Sequence, residues 1–396
     1  MKRPPIEVTG SHRQPLGMPA AAFLRDYWQK RPLLIRQAFP GFESPISPED
    51  LAGLACEEAA LSRIVLHDRG RDRWELRTGP FDEAMFPDLP RQDWTLLVQD
   101  VDKWDMDIRA LLEAFRFLPA WRLDDIMVSF AAPGGSVGAH VDQYDVFLLQ
   151  AQGHRRWQID SRTGAPLDFR DDVELKLLSY FEPDHDWVLG PGDMLYLPPG
   201  VPHHGVAEDA CLTFSVGMRA PSRAELMVDL AEELAAALPE EARYADPDLA
   251  PARDAWEIDD AAFGRLREAL ADLQSLDDDR LRAWFGRFIT QYRAGGEIDA
   301  PARVPDAGAV AKGLDQGGIL LRHPHSRVAW ARHGRGARLF ANGLDLSLGV
   351  ADARRLAAAE RLDAAGLAAL GARGREALQT LVAAGHYQLV KPRRRR

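Results

Sequence analysis

A histidine and an aspartate separated by one residue, His140 and Asp142, are the side chains of this sequence best suited to chemistry. They lie within the stretch Gly134–Trp157, just before an apolar run that is predicted to form a strand. Residues i and i+2 of a strand point to the same face, so both side chains can reach one point. A histidine and a carboxylate arranged in this way supply two ligands of the facial triad that holds non-haem Fe(II) with open coordination positions. The spacing therefore predicts a metal site that needs one more protein ligand.

The third ligand is predicted from Gly192–Gly205, which has a glycine, five residues, a Pro-x-Gly, two residues and then a histidine. This spacing ends on His203 and matches the second signature of the cupin superfamily, while Gly134 followed by His140 matches the first. Adjacent strand residues face opposite ways, so only one of the two histidines can point to the site. The spacing favours His203 as the ligand, and His204 is the alternative. A hydrogen-bonded His–Asp pair in a barrel core is the simpler interpretation, and it is disfavoured because buried ionisable groups are rare.

A cation beside this site is needed if the chemistry uses a 2-oxo diacid such as 2-oxoglutarate. Arg155 and Arg156 follow Gly153 on a predicted strand, and adjacent strand residues point to opposite faces. One guanidinium can therefore enter the barrel, where its planar fork would bind a carboxylate through two hydrogen bonds. The alternative, with both arginines on a solvated strand edge, fits the sequence equally well.

Short predicted strands carry these motifs, and Gly-Gly, Gly-His, Pro-Gly-Asp and Pro-Pro-Gly turns separate them. The predicted strands are 126–131, 145–150, 156–159, 187–189, 194–197, 204–206 and 212–216. Many short strands with frequent turns are typical of an antiparallel double-sheet barrel or jelly roll. The fold class is therefore mixed α and β, with a double-stranded β-helix of the cupin jelly-roll type in residues 1–220.

The composition shifts to Ala, Glu, Leu and Asp after Pro221. Helices are predicted at 222–238, where leucines recur every four residues, and at 261–273 and 279–292. Residues 221–300 are therefore predicted to form a helical region whose apolar faces pair with a second copy. A linker at 295–308 leads to residues 301–396, where a helix, strands and further helices resemble a winged-helix module. The predicted strands of this last region are 319–321, 328–331 and 339–341.

Composition limits the class of protein further. The 396 residues exceed one ordinary core, so two or three domains are expected. The net charge of -11 argues against nucleic acid as the main partner and favours a basic protein or peptide. Two cysteines, Cys56 and Cys211, are too few and too far apart for a disulfide framework or a cysteine metal motif. No apolar segment follows the basic N-terminus and no apolar run approaches the ~20 residues of a membrane span, so a cytoplasmic protein without a membrane partner is predicted.

Taken together, these motifs resemble those of the JmjC-type ribosomal oxygenases. The resemblance rests on DYWQKRPLLI, SPISPEDLAGLA, WRLDDIMVSFAAPGGSVGAHVDQYDVFLLQ, LYLPPGVPHHG and FSVGMRAP. It extends from about Phe23 to Pro221 and weakens beyond that point. It implies a JmjC barrel, a helical dimerisation region, a C-terminal winged-helix domain and a homodimer.

The resemblance also implies roles for individual residues. It makes three residues the Fe(II) ligands and catalytic residues: His140, Asp142 and His203. Arg155 matches the family's anchor for the carboxylate of the co-substrate 2-oxoglutarate, and Ser129 matches a residue that contacts the co-substrate from the preceding strand.

Two features depart from the family pattern. His204 stands where relatives often carry a carboxylate, so its contacts are expected to differ. The sequence also ends in a basic tail, Arg393–Arg396, which we expect to be solvated. Incidental contact between this tail and ribosomal RNA phosphates is the alternative, and no other nucleic-acid partner is expected.

The implied activity is hydroxylation of an arginyl β-carbon in large-subunit ribosomal protein L-sixteen, and a basic ribosomal protein suits an acidic chain. Asp124 and Asp125, near the predicted barrel entrance, could pair with the substrate guanidinium, although a turn at the start of a strand is the preferred interpretation. The alternative functions are another JmjC protein hydroxylase, a lysyl demethylase, or a non-catalytic cupin-like binding module.

Overall fold

The structure is a computed structural model that describes residues 4–247, 249, 251, 258, 260–271, 276–291 and 298–391. Parts of the predicted segments lie outside the described residues, namely 272–273, 292, 295–297 and the basic tail Arg393–Arg396. The chain divides into two compact units, with the boundary between Ala220 and Pro221. Within the described residues, every helix is too short or too polar to cross a membrane.

The first unit consists mostly of short strands. They are β1 (Glu7–Thr9), β2 (Leu33–Arg36), β3 (Ser62–Asp68), β4 (Arg73–Thr78), β5 (Trp94–Val98), β6 (Leu123–Ala131), β7 (Val146–Gln152), β8 (Arg155–Ile159), β9 (His185–Leu189), β10 (Met194–Leu197), β11 (His203–Ala207) and β12 (Cys211–Met218). The α-helices are α1 (Ala20–Asp26), α2 (Pro48–Leu54), α3 (Val101–Trp104) and α4 (Met106–Ala110). Short 3-10 helices lie at Glu83–Asp88, Leu111–Phe115 and Ala120–Arg122.

These strands form two sheets that pack face to face. The large sheet has the order β1-β2-β10-β7-β12-β6-β5-β3-β4, and the small sheet has the order β11-β8-β9. Trp157 and Ile159 of β8 and Leu189 of β9 belong to one apolar cluster with Leu148 of β7 and Leu195 of β10. The predicted double-stranded β-helix is therefore confirmed, and its interior lies between the two sheets.

The outer face of the large sheet carries the main core of the first unit. Ile126 and Val128 of β6 point to this face, together with Phe147 of β7, and all are buried. α1 covers this face with Phe23, whose ring centroid lies 4.9 Å from that of Tyr196 and 5.7 Å from that of Phe147. Because strand side chains alternate, the residues between these core positions point into the barrel.

Two helices begin at local signals that the sequence carries. At the start of α2, Ser47 Oγ accepts a hydrogen bond from the backbone N–H of Asp50, and the Asp50 carboxylate accepts one from the backbone N–H of Ser47. The same capping box, formed by Ser222 and Glu225, starts the first helix of the second unit. Such caps satisfy N–H groups that have no partner within the helix.

In its described residues, the second unit begins with helices and continues with two small sheets. Its helices are α5 (Arg223–Ala236), α6 (Asp260–Ala269), α7 (Asp278–Thr290), α8 (Ala307–Asp315), α9 (Val350–Ala358), α10 (Ala364–Ala368) and α11 (Ala372–Ala383). Its strands are β13 (Ile319–Arg322), β14 (Val328–His333), β15 (Gly336–Ala341), β16 (Leu344–Leu348), β17 (Arg361–Leu362) and β18 (Tyr387–Val390). The sheets have the orders β17-β13-β18 and β14-β15-β16.

One apolar core joins the sheets and the later helices of this unit, and Leu320, Leu339, Leu356 and Leu381 are among its buried residues. The division of the chain after Ala220 into a helical region, 221–300, and a winged-helix region, 301–396, stays a prediction.

Replacing Phe23 with alanine is expected to destabilise the first unit by about 3–5 kcal/mol, because a buried aromatic ring is lost and a cavity remains. Urea unfolding followed by tryptophan fluorescence measures this change in the free energy of unfolding. Phe169→Ala is the matched control, because this phenylalanine is exposed, and its expected change is below about 1 kcal/mol. Equal losses in the two variants would contradict the assignment of Phe23 to the core.

Candidate metal and co-substrate site

The structure brings His140, Asp142 and His203 together at one point inside the barrel. One nitrogen or oxygen atom from each residue lies within 4.8 Å of the others. His140 and His203 are paired through their backbones, with N···O distances of 3.0 Å and 2.9 Å in the two directions. The backbone N–H of Gly200 donates to the carbonyl oxygen of Asp142 at 2.8 Å. Backbone pairing therefore fixes the positions of all three side chains.

Hydrogen bonds to backbone carbonyls determine which imidazole nitrogen of each histidine is available. His140 Nδ1 lies 3.0 Å from the carbonyl oxygen of Gly138, and His203 Nδ1 lies 2.9 Å from that of Val201. A carbonyl oxygen only accepts, so each Nδ1 carries the proton and each Nε2 presents a lone pair. His203 Nε2 lies 3.7 Å from Asp142 Oδ2. Burial and the neighbouring His140 lower the pKa of His203, which favours the neutral form that binds a metal.

This donor set fits a divalent first-row metal. Two imidazole nitrogens and one carboxylate oxygen form the facial arrangement typical of non-haem Fe(II) sites, in which further positions stay open to other ligands. The carbonyls of Gly138 and Val201 orient the two imidazole rings from behind, as the outer contacts of metal-bound histidines usually do.

The structure separates Arg155 from Arg156. Arg155 is 3% exposed, and its Nη2 donates to the carbonyl oxygen of Gly205 at 3.3 Å. Arg156 points outward, where it pairs with Glu208 at 2.6 Å and with Asp186 at 3.1 Å. Arg155 is therefore the arginine that enters the barrel, and burial lowers the pKa of its guanidinium.

The surroundings of Arg155 fit a carboxylate ligand. Arg155 Nε is buried without a hydrogen-bond partner among the residues that the structure describes. A buried charge without a counter-ion is costly, so this position favours an anion. Ser129 lies on the facing sheet, buried, and its hydroxyl donates a long hydrogen bond of 3.4 Å to the carbonyl oxygen of Thr213. Its hydroxyl is thus free to turn towards such a ligand.

His204, the alternative ligand, lies outside the metal cluster. It follows His203 on β11 and therefore points to the other face of the strand. Its ring centroid lies 6.1 Å from that of Phe181. Burial, with the nearby Arg155, lowers the pKa of His204 to about 4. Of the two candidates from the sequence, the structure places only His203 with His140 and Asp142.

Asp124 and Asp125 lie within β6, so the preferred interpretation of a turn before the strand is wrong. Asp125 is on the same face of β6 as Ser129, because the two are four residues apart. Partial burial, with the nearby Asp100 and other aspartates, raises the pKa of the Asp125 carboxyl to about 7. Local turn chemistry favoured the wrong interpretation, whereas β6 is fixed by pairing with β5 and β12.

Two residues that the sequence analysis did not single out also belong to this region. Tyr144 hydrogen-bonds to Asp142 and lies in the electrostatic field of Asp125. Trp157 lies between Arg155 and His203, with the guanidinium carbon of Arg155 at 5.1 Å from its ring centroid. Their positions in the sequence are the signal that could have identified them. Tyr144 is two residues after Asp142, and Trp157 is two residues after Arg155.

Comparison with known proteins places these features in a family. A family model described as a JmjC domain matches residues 110–226, and a model described as a ROXA-like winged helix matches residues 268–388. The ribosomal protein uL16 3-hydroxylase of Escherichia coli (strain K12) is 39% identical over 309 residues, which are 77% of this chain and 80% of that protein.

Solved structures of an E. coli relative agree. The X-ray structure of E. coli ycfD has a TM-score of 0.82 and 34% sequence identity, and the match covers 94% of this chain and 98% of that chain. A structure of YcfD, described as a ribosomal oxygenase in complex with cobalt and 2-oxoglutarate, has a TM-score of 0.79 at 34% identity, with the same coverage. The expected barrel and winged-helix domain are thus both confirmed, and the chain belongs to the family of JmjC-domain ribosomal oxygenases.

Proposed function

We propose that this chain is an Fe(II)- and 2-oxoglutarate-dependent oxygenase that hydroxylates an arginyl β-carbon of ribosomal protein uL16. The observation that carries the proposal is the cluster of His140, Asp142 and His203 in the same barrel as the buried Arg155. The cluster can hold a metal with open coordination positions. Arg155 supplies a cation that can bind a carboxylate. The relative with 39% identity is named for 3-hydroxylation of uL16, which supports the choice of substrate.

Each residue of the proposed site has a separate task. His140, Asp142 and His203 would hold Fe(II), and Arg155 would pair with the far carboxylate of 2-oxoglutarate, with Ser129 as an additional donor. When bound, the metal with 2-oxoglutarate and O2 supplies oxidative decarboxylation coupled to hydroxylation of a carbon–hydrogen bond. The two sheets hold these residues in place before any ligand arrives, which lowers the entropic cost of assembling the reacting groups.

Asp125 is the residue we assign to the guanidinium of the substrate arginine. Its carboxyl is on the same face of β6 as Ser129, and Tyr144, which lies in the electrostatic field of Asp125, hydrogen-bonds to Asp142. The backbone N–H of Asp100 donates to Asp125 Oδ2 at 3.2 Å, and within the described part of the chain Oδ1 accepts no hydrogen bond. A guanidinium would compensate the cost of keeping this carboxylate among other acidic groups.

The net charge of -11 agrees with a basic protein substrate, because opposite charges accelerate association. A ribosomal protein substrate also favours a cytoplasmic location for the enzyme, which is part of the proposal.

Incubation of the protein with purified uL16, Fe(II), 2-oxoglutarate and O2 is expected to add one oxygen, a gain of about 16 mass units, to one arginine. Peptide mass mapping with fragmentation locates the added oxygen on the β-carbon. His140→Ala is the control, and it is expected to lose both metal binding and oxygen incorporation. Loss of a methyl group from a lysine, or no oxygen gain on any arginine, would refute the proposed activity.

Asp125→Asn is expected to raise the KM for uL16 about 10- to 100-fold, since a hydrogen bond to a charged group contributes ~1.5–3 kcal/mol. Affinity for 2-oxoglutarate should stay near that of the wild type, because Asp125 would contact only the substrate. Asp124→Asn is the matched control, because Asp124 lies on the opposite face of β6. An unchanged KM in the Asp125 variant would exclude the assigned role.

The helical region, 221–300, is proposed to form a homodimer, with the winged-helix region in 301–396. Large apolar side chains of α5 and α6 are exposed, among them Met227 at 71% and Phe263 at 48%. Exposed apolar residues on neighbouring helices are typical of a surface that pairs with another chain. A second copy is the occupant we propose, because two-fold pairing brings the same apolar surface from each chain together.

Met227→Asp combined with Phe263→Asp is expected to shift the protein to a monomer, since charges at these positions would oppose apolar contact. Light scattering after size-exclusion chromatography measures the mass directly against the 44.0 kDa of one chain. Val188→Asp, at an exposed apolar position of the first unit, is the control and should leave the mass unchanged. A wild-type protein that elutes as a monomer at micromolar concentration would contradict the dimer.

A further inference from the structure

Gly205 lies on β11 directly opposite Trp157 on β8. A Cβ atom at position 205 would lie 2.7 Å from both Cζ3 and Cη2 of the Trp157 indole and 2.8 Å from Arg155 Nε. Real Cβ atoms do not approach other heavy atoms this closely. The φ angle of Gly205 is not positive, so the need for glycine comes from space and not from backbone conformation. The space that a side chain at position 205 would need is therefore occupied by two side chains from the neighbouring strand.

The same two contacts hold Arg155 in place. Its Nη2 donates to the carbonyl oxygen of Gly205 at 3.3 Å, and its guanidinium carbon lies 5.1 Å from the Trp157 ring centroid. A guanidinium over an indole face is attracted by the electrons of the ring. Among the residues that the structure describes, no acidic side chain pairs with Arg155. The position of the guanidinium thus depends on Gly205 and Trp157.

Trp157 also faces the metal cluster. Its ring centroid lies 5.9 Å from that of His203, and the residue is 4% exposed. Leu148 and Leu195 of the large sheet pack in the same apolar cluster as the indole, so the ring cannot retreat easily. Trp157 Nε1 is buried and lacks an acceptor in the described part of the chain, as expected for a donor that lines a polar ligand site. The indole therefore acts as a spacer between the anchor and the metal ligands.

We infer that Gly205 and Trp157 select the chain length of the 2-oxo diacid by fixing the distance between Arg155 and the metal cluster. The inference rests on the proposed function, in which one end of the diacid binds the metal and the other binds Arg155. Because Gly205 has no side chain, the indole can lie against the backbone of β11. The position of the indole then determines how far the guanidinium reaches. Both are positioning residues, because they act through Arg155.

A diacid that spans two fixed points matches only one length. One methylene group more or less changes binding by about 10- to 200-fold in a shaped site. Moving Arg155 would therefore change which diacid fits, as well as how tightly 2-oxoglutarate binds. A residue with a purely structural role would weaken all diacids equally.

The test is calorimetric titration of the full-length protein, loaded with Mn(II), with 2-oxoglutarate, oxaloacetate and 2-oxoadipate. Gly205→Ala is expected to weaken 2-oxoglutarate binding at least tenfold and to reduce the preference for it over the other two diacids. Titration of each protein with Mn(II) alone is expected to give affinities within about threefold of the wild type, because position 205 supplies no metal ligand. Gly53→Ala is the matched control, since a Cβ at that helical position meets nothing within 4 Å, and it should match the wild type throughout.

A second variant makes the test independent of misfolding. Trp157→Phe shortens the ring and makes room for a Cβ at position 205, so the double variant with Gly205→Ala is expected to bind 2-oxoglutarate more tightly than Gly205→Ala alone. Such rescue identifies a direct contact, because independent sites give additive losses. Additive losses in the double variant, an unchanged diacid preference in Gly205→Ala, or an equal loss of Mn(II) affinity would each overturn the inference. A wild-type protein that binds Mn(II) but none of the diacids would instead refute the proposed function, and the inference with it.

Discussion

The antiparallel register between β8 and β11 is the constraint on which the rest of the site depends. It pairs Ala207 with Arg155, Gly205 with Trp157 and His203 with Ile159. A slip of one residue in either strand would turn all side chains of that strand to the opposite face, because the side chains of a strand alternate with a period of two. A slip of β8 would bring Arg156 into the barrel, and a slip of β11 would put His204 in the place of His203. The backbone pairing of His140 with His203 extends this register to the other metal-binding segment.

Burial of an arginine without a carboxylate partner is unfavourable for the isolated protein, and apolar packing must offset it. The two faces of the large sheet contribute differently, because one supplies apolar packing and the other lines the interior of the barrel. The outer face, built around Phe23, provides a large apolar core. The same outer face also holds Asp145, which is fully buried and accepts hydrogen bonds from Tyr196 at 2.6 Å and from Gln29 at 2.9 Å. This buried carboxylate is thus paired, whereas inside the barrel Arg155 Nε and Trp157 Nε1 have no acceptor among the described residues and can donate to a ligand.

The sequence identifies the three residues that cluster in the barrel because their spacing is local. His140 and Asp142 are two residues apart in the segment before β7, and the glycine and proline spacing before His203 is a property of one turn. The choice between Arg155 and Arg156 needed the pairing of β8 with β11, which no local pattern contains. Strands such as β16 and β18 were not predicted for the same reason, since β18 is held by pairing with β13, far away in sequence. Trp157 and Gly205 are ordinary residues in the sequence, and only their contact gives them a role.

The raised pKa of Asp125 bears on which substrates the barrel favours. Its carboxyl lies near Asp100 and other acidic side chains, and the cost of ionising it there is what raises its pKa to about 7. A cationic side chain that reaches Asp125 recovers this cost, whereas a neutral side chain of the same size does not. Discrimination between cationic and neutral side chains therefore has two sources. One is the unfavourable placement of Asp125 among acidic groups in the free protein, and the other is its favourable pairing with a cation in the complex.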